Sequence, residues 1–270
     1  MSGLLAGRCG LVVGVATERS YAWHIARALQ AQGAQLGFAV LPGERAVARA
    51  TAAVAALGAP AALIQPCDVR SDADLDVLFA AWDAAFPRLD FVVHSIAFAD
   101  REWLAAGRFT ATPRAAFHDA LDVSSYSLVA LAQRARPRLA VQGGAIVAMS
   151  YLGGERVLPG YNVMGVAKAA LECAMRYLAA ELGADRIRVS CVSGGAFRTT
   201  AAMGIGGFRT LFDHGVAVAP LRRGVTGDDV GGTVAFLVSD LGAGITGEVV
   251  HVDCGLHALG PVPADPQTRV

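Results

Sequence analysis

Residues 10–40 read GLVVGVATERSYAWHIARALQAQGAQLGFAV, and this stretch decides the fold. Gly10 to Gly14 is a short apolar run of strand character, followed by a loop from Val15 to Arg19. Ser20 is placed to cap a helix from Tyr21 to Gln32, which Gly33 stops. A second strand then runs from Gln35 to Val40. Outward from it the alternation continues. The sequence predicts a helix near Glu44 to Leu57, a strand Ala61 to Gln65, a helix Asp72 to Phe86 and a buried strand Leu89 to Ser95. A long helix from about Pro113 to Leu139 precedes a strand Ala145 to Met149. The next helix carries Tyr161 and Lys168 to about Leu182, and Ile187 to Ser193 is a strand. Helices near Thr199 to Phe212 and Thr226 to Ser239 lead to a last strand, Glu248 to Asp253. Such alternation predicts an α/β fold, a doubly wound parallel sheet with helices on both faces. No linker, repeat or low-complexity tract divides it, so residues 1–270 read as one domain with a tail after about residue 257.

Composition narrows the function. At 54% hydrophobic residues the 270-residue chain can bury a large core. Charge is balanced at 23 against 23, which points away from nucleic acid and from an anionic membrane surface. The five cysteines (Cys9, Cys67, Cys173, Cys191, Cys254) are scattered without C-x-x-C spacing, as expected of reduced thiols in a cytoplasm. The six histidines form no metal-binding pattern. Residues 1–10 lack the character of a targeting segment. The span Ala50 to Cys67 is uncharged, but Gly58, Pro60, Gln65 and Pro66 interrupt it. It reads as a helix end and a short strand, not a membrane helix.

Of the 23 basic residues, 22 are arginine and one, Lys168, is lysine. A compact rotatable ammonium differs from a planar guanidinium fork, and a site needing a point charge for vicinal hydroxyls would not accept the swap. Tyr161 lies seven residues earlier, nearly two helical turns, so both side chains share one face. A phenol backed by an ammonium is expected to have its pKa lowered, as a proton donor or oxyanion stabiliser. The plainer alternative is a packed tyrosine and a solvated lysine.

Doubly wound sheets bind ligands at the carboxyl ends of their strands. Gly14, Ser20, Asp68, Ser95, Ser150, Tyr151, Ser193, Gly194 and Gly195 all fall there. The Gly14 to Ser20 loop opens on a helix N-terminus, where a pyrophosphate is favoured. It lacks the G-x-G-x-x-G fingerprint, however, and its glycine equally suits helix–strand packing.

Gly14-x5-Ser20-x-Ala22, Cys67-Asp68-Val69, Val93-His-Ser-Ile-Ala-Phe98, Ser124-Ser-Tyr126, Met149-Ser-Tyr-Leu-Gly153, Tyr161-Asn-Val-Met164 with Lys168, Arg198-Thr199 and Gly247-Glu-Val-Val-His-Val-Asp253 recur in order. Together they resemble the bacterial enoyl-(acyl-carrier-protein) reductase family, a divergent branch of the short-chain dehydrogenase/reductases, from about Leu4 to Leu256. Tyr-x6-Lys, in place of the Tyr-x3-Lys usual in that superfamily, is the most specific feature. The resemblance implies a seven-stranded Rossmann-like subunit, assembled as a homotetramer. It implies NADH-dependent reduction of a trans-2-enoyl thioester, carried on acyl-carrier protein or CoA, in fatty-acid biosynthesis. Tyr161 would hydrogen-bond the thioester carbonyl, Lys168 would hold the nicotinamide ribose, and Tyr151 would be a second active-site tyrosine. Gly14, Ser20 and Tyr21 would meet the cofactor's diphosphate region, Asp68 and Val69 its adenine, and Leu41 the adenine ribose. Ile96, Phe197, Arg198, Thr199, Thr200 and Ala201 would line the nicotinamide and pyrophosphate, and Ala99 the acyl substrate.

Departures from the family pattern stand beside these expectations. Ala97 takes the place of a glycine, Gly195-Ala196-Phe197 of Gly-Pro-Ile, and Cys254 of a glycine. Ala97 and Phe197 are expected to add bulk near the acyl pocket. No acidic residue follows Val40 to take a ribose hydroxyl pair, and Arg45 keeps NADPH open beside NADH. The alternatives are a paralogue acting on an unusual enoyl or β-keto thioester and a silent cofactor-binding homologue. A ketoreductase would carry Tyr-x3-Lys, and residue 165 is glycine. The small-residue run Thr199 to Phe208 reads as a mobile lid.

Overall fold

Each predicted strand forms where a β-branched or aliphatic run has no helical periodicity. In the computed structural model of the chain, residues 3–58, 61–197 and 208–260 are described. Seven strands, β1 Cys9–Val13, β2 Gln35–Val40, β3 Leu63–Pro66, β4 Phe91–His94, β5 Gly144–Ser150, β6 Ile187–Gly194 and β7 Val249–Val252, make one sheet. Its order is β3-β2-β1-β4-β5-β6-β7, parallel throughout. Helices α1 Tyr21–Ala31, α2 Glu44–Ala55, α3 Asp72–Ala85, α4 Arg114–Leu121, α5 Ser127–Leu139, α6 Asn162–Leu182, α7 Phe208–Val218 and α8 Gly227–Val238 connect and cover it. Two apolar cores lie on opposite faces, one built with α1 and α8, the other with α3, α5 and α6. This is the doubly wound arrangement, and its topological switch lies between β1 and β4.

The capping logic holds at α1, where the Ser20 side chain accepts from the Trp23 amide. Two expectations change. The long helix of 113–139 is divided by a five-residue π segment, Asp122–Tyr126, beside which Ser124 Oγ both accepts from Phe98 N and donates to Phe98 O. In the same stretch Ser127 Oγ donates to Val123 O, a side-chain bond to the carbonyl four residues back that competes with the i→i−4 ladder. The helix expected at 199–212 is observed as α7, Phe208–Val218; residues 198–207, including the lid reading, lie outside the described residues. α7 runs on because Phe212 and Val216, one turn apart, both back onto Gly224, where a Cβ would meet them at 3.5 and 3.3 Å. The span 50–67 divides into the end of α2 and β3, and among the described residues no helix is long and apolar enough to cross a membrane.

His94, at the end of the central strand β4, is fully buried. Ser127 Oγ donates to Val123 O at 2.7 Å, so it accepts from His94 Nε2 at 2.8 Å, which fixes a neutral Nε2–H tautomer. Burial first, then the nearby Lys168 ammonium, brings the ring down from 6.5 to about 3. The unfolded chain therefore takes up the proton that the folded chain refuses, and stability is lost as pH falls from about 6.5 towards about 3. Urea midpoints should decline across that window, with a contribution from this ring on the order of several kcal/mol. His94→Gln, which keeps a donor but does not titrate, should flatten the decline; an unchanged acid slope would refute the assignment.

Candidate active site

The crevice begins where the chain order reverses. Gly14 follows β1 at φ +106, and a Cβ there would lie 2.2 Å from the Ser95 carbonyl beyond β4. Only glycine leaves this approach open. Tyr21 opens α1, and its hydroxyl donates to Gly195 O at 2.7 Å beyond β6. Burial pushes its pKa well up, so it stays a neutral donor. Phe197 stacks on Tyr21 with ring centroids 4.8 Å apart, and His24 meets the same ring edge-on. The ring at 197 thus packs against the core around α1, not on the acyl side, which corrects the expectation of added bulk there. Ala97 is solvent-exposed. Cys254 is accommodated in the left-handed region at φ +60.

At the far end of the crevice Leu41 is 67% exposed past β2, beside the exit of β3 (Val40 pairs with Pro66). Asp68 lies there too, but Arg70 grips its carboxylate through Nη2 at 2.6 Å and Nε at 3.0 Å. That hydrogen bond to Arg70 holds the Asp68 carboxyl below its ordinary range. Val69 and Ile96 are half-buried against the second core.

The buried end of the crevice is built on α6. Gly153, two residues after Tyr151, lies against the Tyr161 ring so closely that a Cβ would be 2.2 Å from it. A Cβ on Gly165 would stand 2.7 Å from the Gly153 carbonyl. This close approach brings Tyr151 and Tyr161 together, centroids 5.0 Å apart at 64°. The pair shares a small apolar cluster with Ala99, Leu104, Val163, Met164 and Ala167. Behind it Lys168 is 4% exposed, and its Nζ donates to Met149 O at 2.7 Å near the end of β5. Position 165, where the commoner lysine spacing would place the ammonium, has no room for a Cβ unless the Gly153 backbone shifts.

Electrostatics here follow from dryness. Burial lowers Lys168 to about 8, while the neighbouring Cys191 and Glu172 act in the opposite direction. Burial, then Tyr151 and Glu172, push the Tyr161 phenol far up, so the expected lowering by Lys168 is reversed. Tyr151 is raised by burial and by Asp253. Both phenols are therefore held as donors. Glu172, one turn beyond Lys168, is 4% exposed and receives the Ser150 hydroxyl; burial raises its carboxyl.

The model of the family described as enoyl-(acyl carrier protein) reductase matches residues 14–257. The chain belongs to that family. It is 46% identical to the NADH-dependent enoyl-(acyl-carrier-protein) reductase of Nostoc over 256 residues, covering 95% of this chain and 98% of that one. Identity to the Escherichia coli NADH-dependent enzyme is also 46%, over 94% and 95% of the two chains. A Bacillus cereus enoyl-acyl carrier protein reductase, solved with NADP+ and an indole naphthyridinone, superposes with TM-score 0.92 at 44% identity, covering 96% of this chain and 100% of that one. In this family member the structure brings Ala99, Tyr151, Tyr161 and Lys168 to one end of the crevice. It sets Leu41, Asp68 and Val69 at the other, with Gly14, Ser20, Tyr21, Ile96 and Phe197 between. Arg198, Thr199, Thr200 and Ala201 lie outside the described residues.

The sequence singled out neither Glu172 nor the packing roles of Gly153 and Gly165. The i,i+4 spacing of Glu172 from Lys168 was a usable signal; the glycines gave none without the fold. Gly153→Ala and Gly165→Ala should each cost about 1–3 kcal/mol in urea denaturation, because backbone or ring must move. A Cβ on Gly183, the residue after α6, would meet nothing within 4 Å, so Gly183→Ala should shift stability by no more than about 0.5 kcal/mol. Equal losses at all three positions would remove the argument from close approach.

Proposed function

We propose that this chain reduces the C2=C3 double bond of a trans-2-enoyl thioester, carried on acyl-carrier protein or CoA, with NADH as hydride donor in fatty-acid biosynthesis. The observation that carries this reading is the pair of touching, protonated phenols in an apolar cluster, with the sole lysine buried behind them. Membership of the family supports it.

The described residues fit a dinucleotide. Gly14 leaves the backbone bare at the crevice, and the start of α1 offers free amides. Lys168 has three donors and uses one on Met149 O. NADH, held by these residues, would supply the hydride for the β-carbon, and a proton drawn from solvent would complete the reduction at the α-carbon. Tyr161 donates a hydrogen bond to the thioester oxygen, where negative charge develops; burial keeps its proton in place until then. Tyr151 adds a second neutral phenol against the first. Lys168 holds the nicotinamide ribose hydroxyls. Gly14, Ser20 and Tyr21 face the diphosphate, with Tyr21 acting through its backbone because its hydroxyl is engaged. Asp68 and Val69 meet the adenine, and Leu41 its ribose. Ile96, Phe197 and the residues 198–201 line the nicotinamide and pyrophosphate, and Ala99 the acyl chain. Cytoplasmic location is supported by five free thiols. Assembly as a homotetramer is supported by the exposed outer face of α6, where Ala169, Cys173 and Tyr177 are open beside Arg176.

NADH oxidation measured with crotonyl-CoA and, separately, acetoacetyl-CoA tests the reaction. Turnover is expected with the first alone, and Tyr161→Phe should lower kcat by about 10²-fold. Preference for acetoacetyl-CoA, or an unimpaired Tyr161→Phe enzyme, would overturn the reading. NADPH in place of NADH tests cofactor choice. NADH affinity should also weaken as pH rises through about 8, where Lys168 loses its charge; a flat profile to pH 10 would remove Lys168 from the ribose (roughly the ordinary lysine range).

A further inference from the structure

Asn162 follows Tyr161 directly and opens α6. Its backbone stands at φ +44, in the left-handed region that asparagine tolerates better than other side-chain-bearing residues. Its Nδ2 donates to Trp103 O and to Ala105 O, each at 2.7 Å. Both partners are acceptors, so the orientation of the amide is settled and both its hydrogens are used. The two carbonyls flank Leu104, which is 5% exposed and packs in the same cluster as Tyr161, Ala99 and Met164.

The segment 100–112 is otherwise held by local ties. Asp100 caps the short turn Arg101–Trp103, Arg108 pairs with Glu102 at 3.0 Å, and the Arg108 guanidinium covers the Trp103 ring. Among the described residues, the two Asn162 bonds are the side-chain hydrogen bonds that join this segment to α6. These two bonds, with the packing of Leu104 itself, tie the wall of the apolar cluster to the Tyr161 end of α6.

We propose that Asn162 is a positioning residue for the enoyl thioester: by holding Leu104 against the Tyr161 end of α6, it sets which acyl chains the site accepts. This rests on the function proposed above. Two separate demands meet at the position, positive φ and two outward N–H groups. Glycine meets only the first. Aspartate tolerates the same backbone but turns oxygen towards two carbonyls. Alanine meets neither.

The test uses the purified full chain with crotonyl-CoA, a long-chain 2-enoyl-CoA and NADH. Asn162→Gly should raise KM for the enoyl substrates about tenfold, the loss of two neutral hydrogen bonds, with kcat falling less than about threefold. The ratio of long-chain to crotonyl efficiency should shift, and KM for NADH should stay within about twofold. Asn162→Asp should be impaired at least as much despite its tolerance of positive φ. Leu104→Ala, which alters the same wall without removing either Asn162 hydrogen bond, should shift the chain-length ratio and serves if Asn162→Gly does not fold. If Asn162→Gly and Leu104→Ala both leave enoyl KM and the ratio unchanged, or if NADH KM moves in step, the positioning role is wrong. A wild-type chain that turns over neither enoyl thioester would sink the proposed function itself.

Discussion

The site depends on a backbone approach without side chains. Gly153 and Gly154 run along the first turns of α6 at distances that leave little or no space for a Cβ. The ring of Tyr161 faces Gly153, and a Cβ on Gly154 would meet Glu172 Oε1 at 3.0 Å and the Lys168 carbonyl carbon at 3.1 Å. Because the segment after β5 lies this close, Tyr151 reaches Tyr161, and Gly165 has no room for a Cβ unless the Gly153 backbone shifts. The next position on that face with room for an ammonium is 168. The wide tyrosine–lysine spacing is thus a packing consequence as much as a chemical one.

Exclusion of water then sets the charge states. Two phenols stay protonated, a lysine titrates near 8, and a carboxyl one turn on is raised, all with burial as the leading cause. Preorganised donors in a dry cluster stabilise developing charge far better than the same groups in water. The opposite end of the crevice is different in kind. Leu41 is open to solvent and Asp68 is already neutralised by Arg70, a partly exposed pair whose effect is screened. The proposed chemistry needs the dry end; the proposed contact with an adenine tolerates the wet one.

Between the two ends, aromatic packing ties the exit of β6 to the start of α1. The Tyr21 hydroxyl on Gly195 O and the Phe197 ring on Tyr21 hold the segment leaving β6 against the first turn of α1. An aromatic residue at 197 is therefore matched by a partner ring on α1, which explains how it is accommodated without entering the acyl cluster.

All seven strands and the order of helices were legible from residue patterns, because apolar runs, caps and glycine stops are local signals: Ser20 and Gly33 bound α1 within one residue of its observed end. The lysine count and the seven-residue spacing to Tyr161 pointed to the buried end of the crevice for the same reason, since helical periodicity is written along the chain. The π segment at Asp122–Tyr126 was not legible, nor was the bond by which its Ser124 meets Phe98 from another part of the fold. Nor was the direction of Tyr161's pKa, which turns on burial and not on the charge of a sequence neighbour. Sequence by itself determined the alternating architecture and which residue types stand at the strand ends. Tertiary structure alone decided which of them touch, which lose water and which way Phe197 and Asn162 point, because those depend on contacts between segments far apart in the chain.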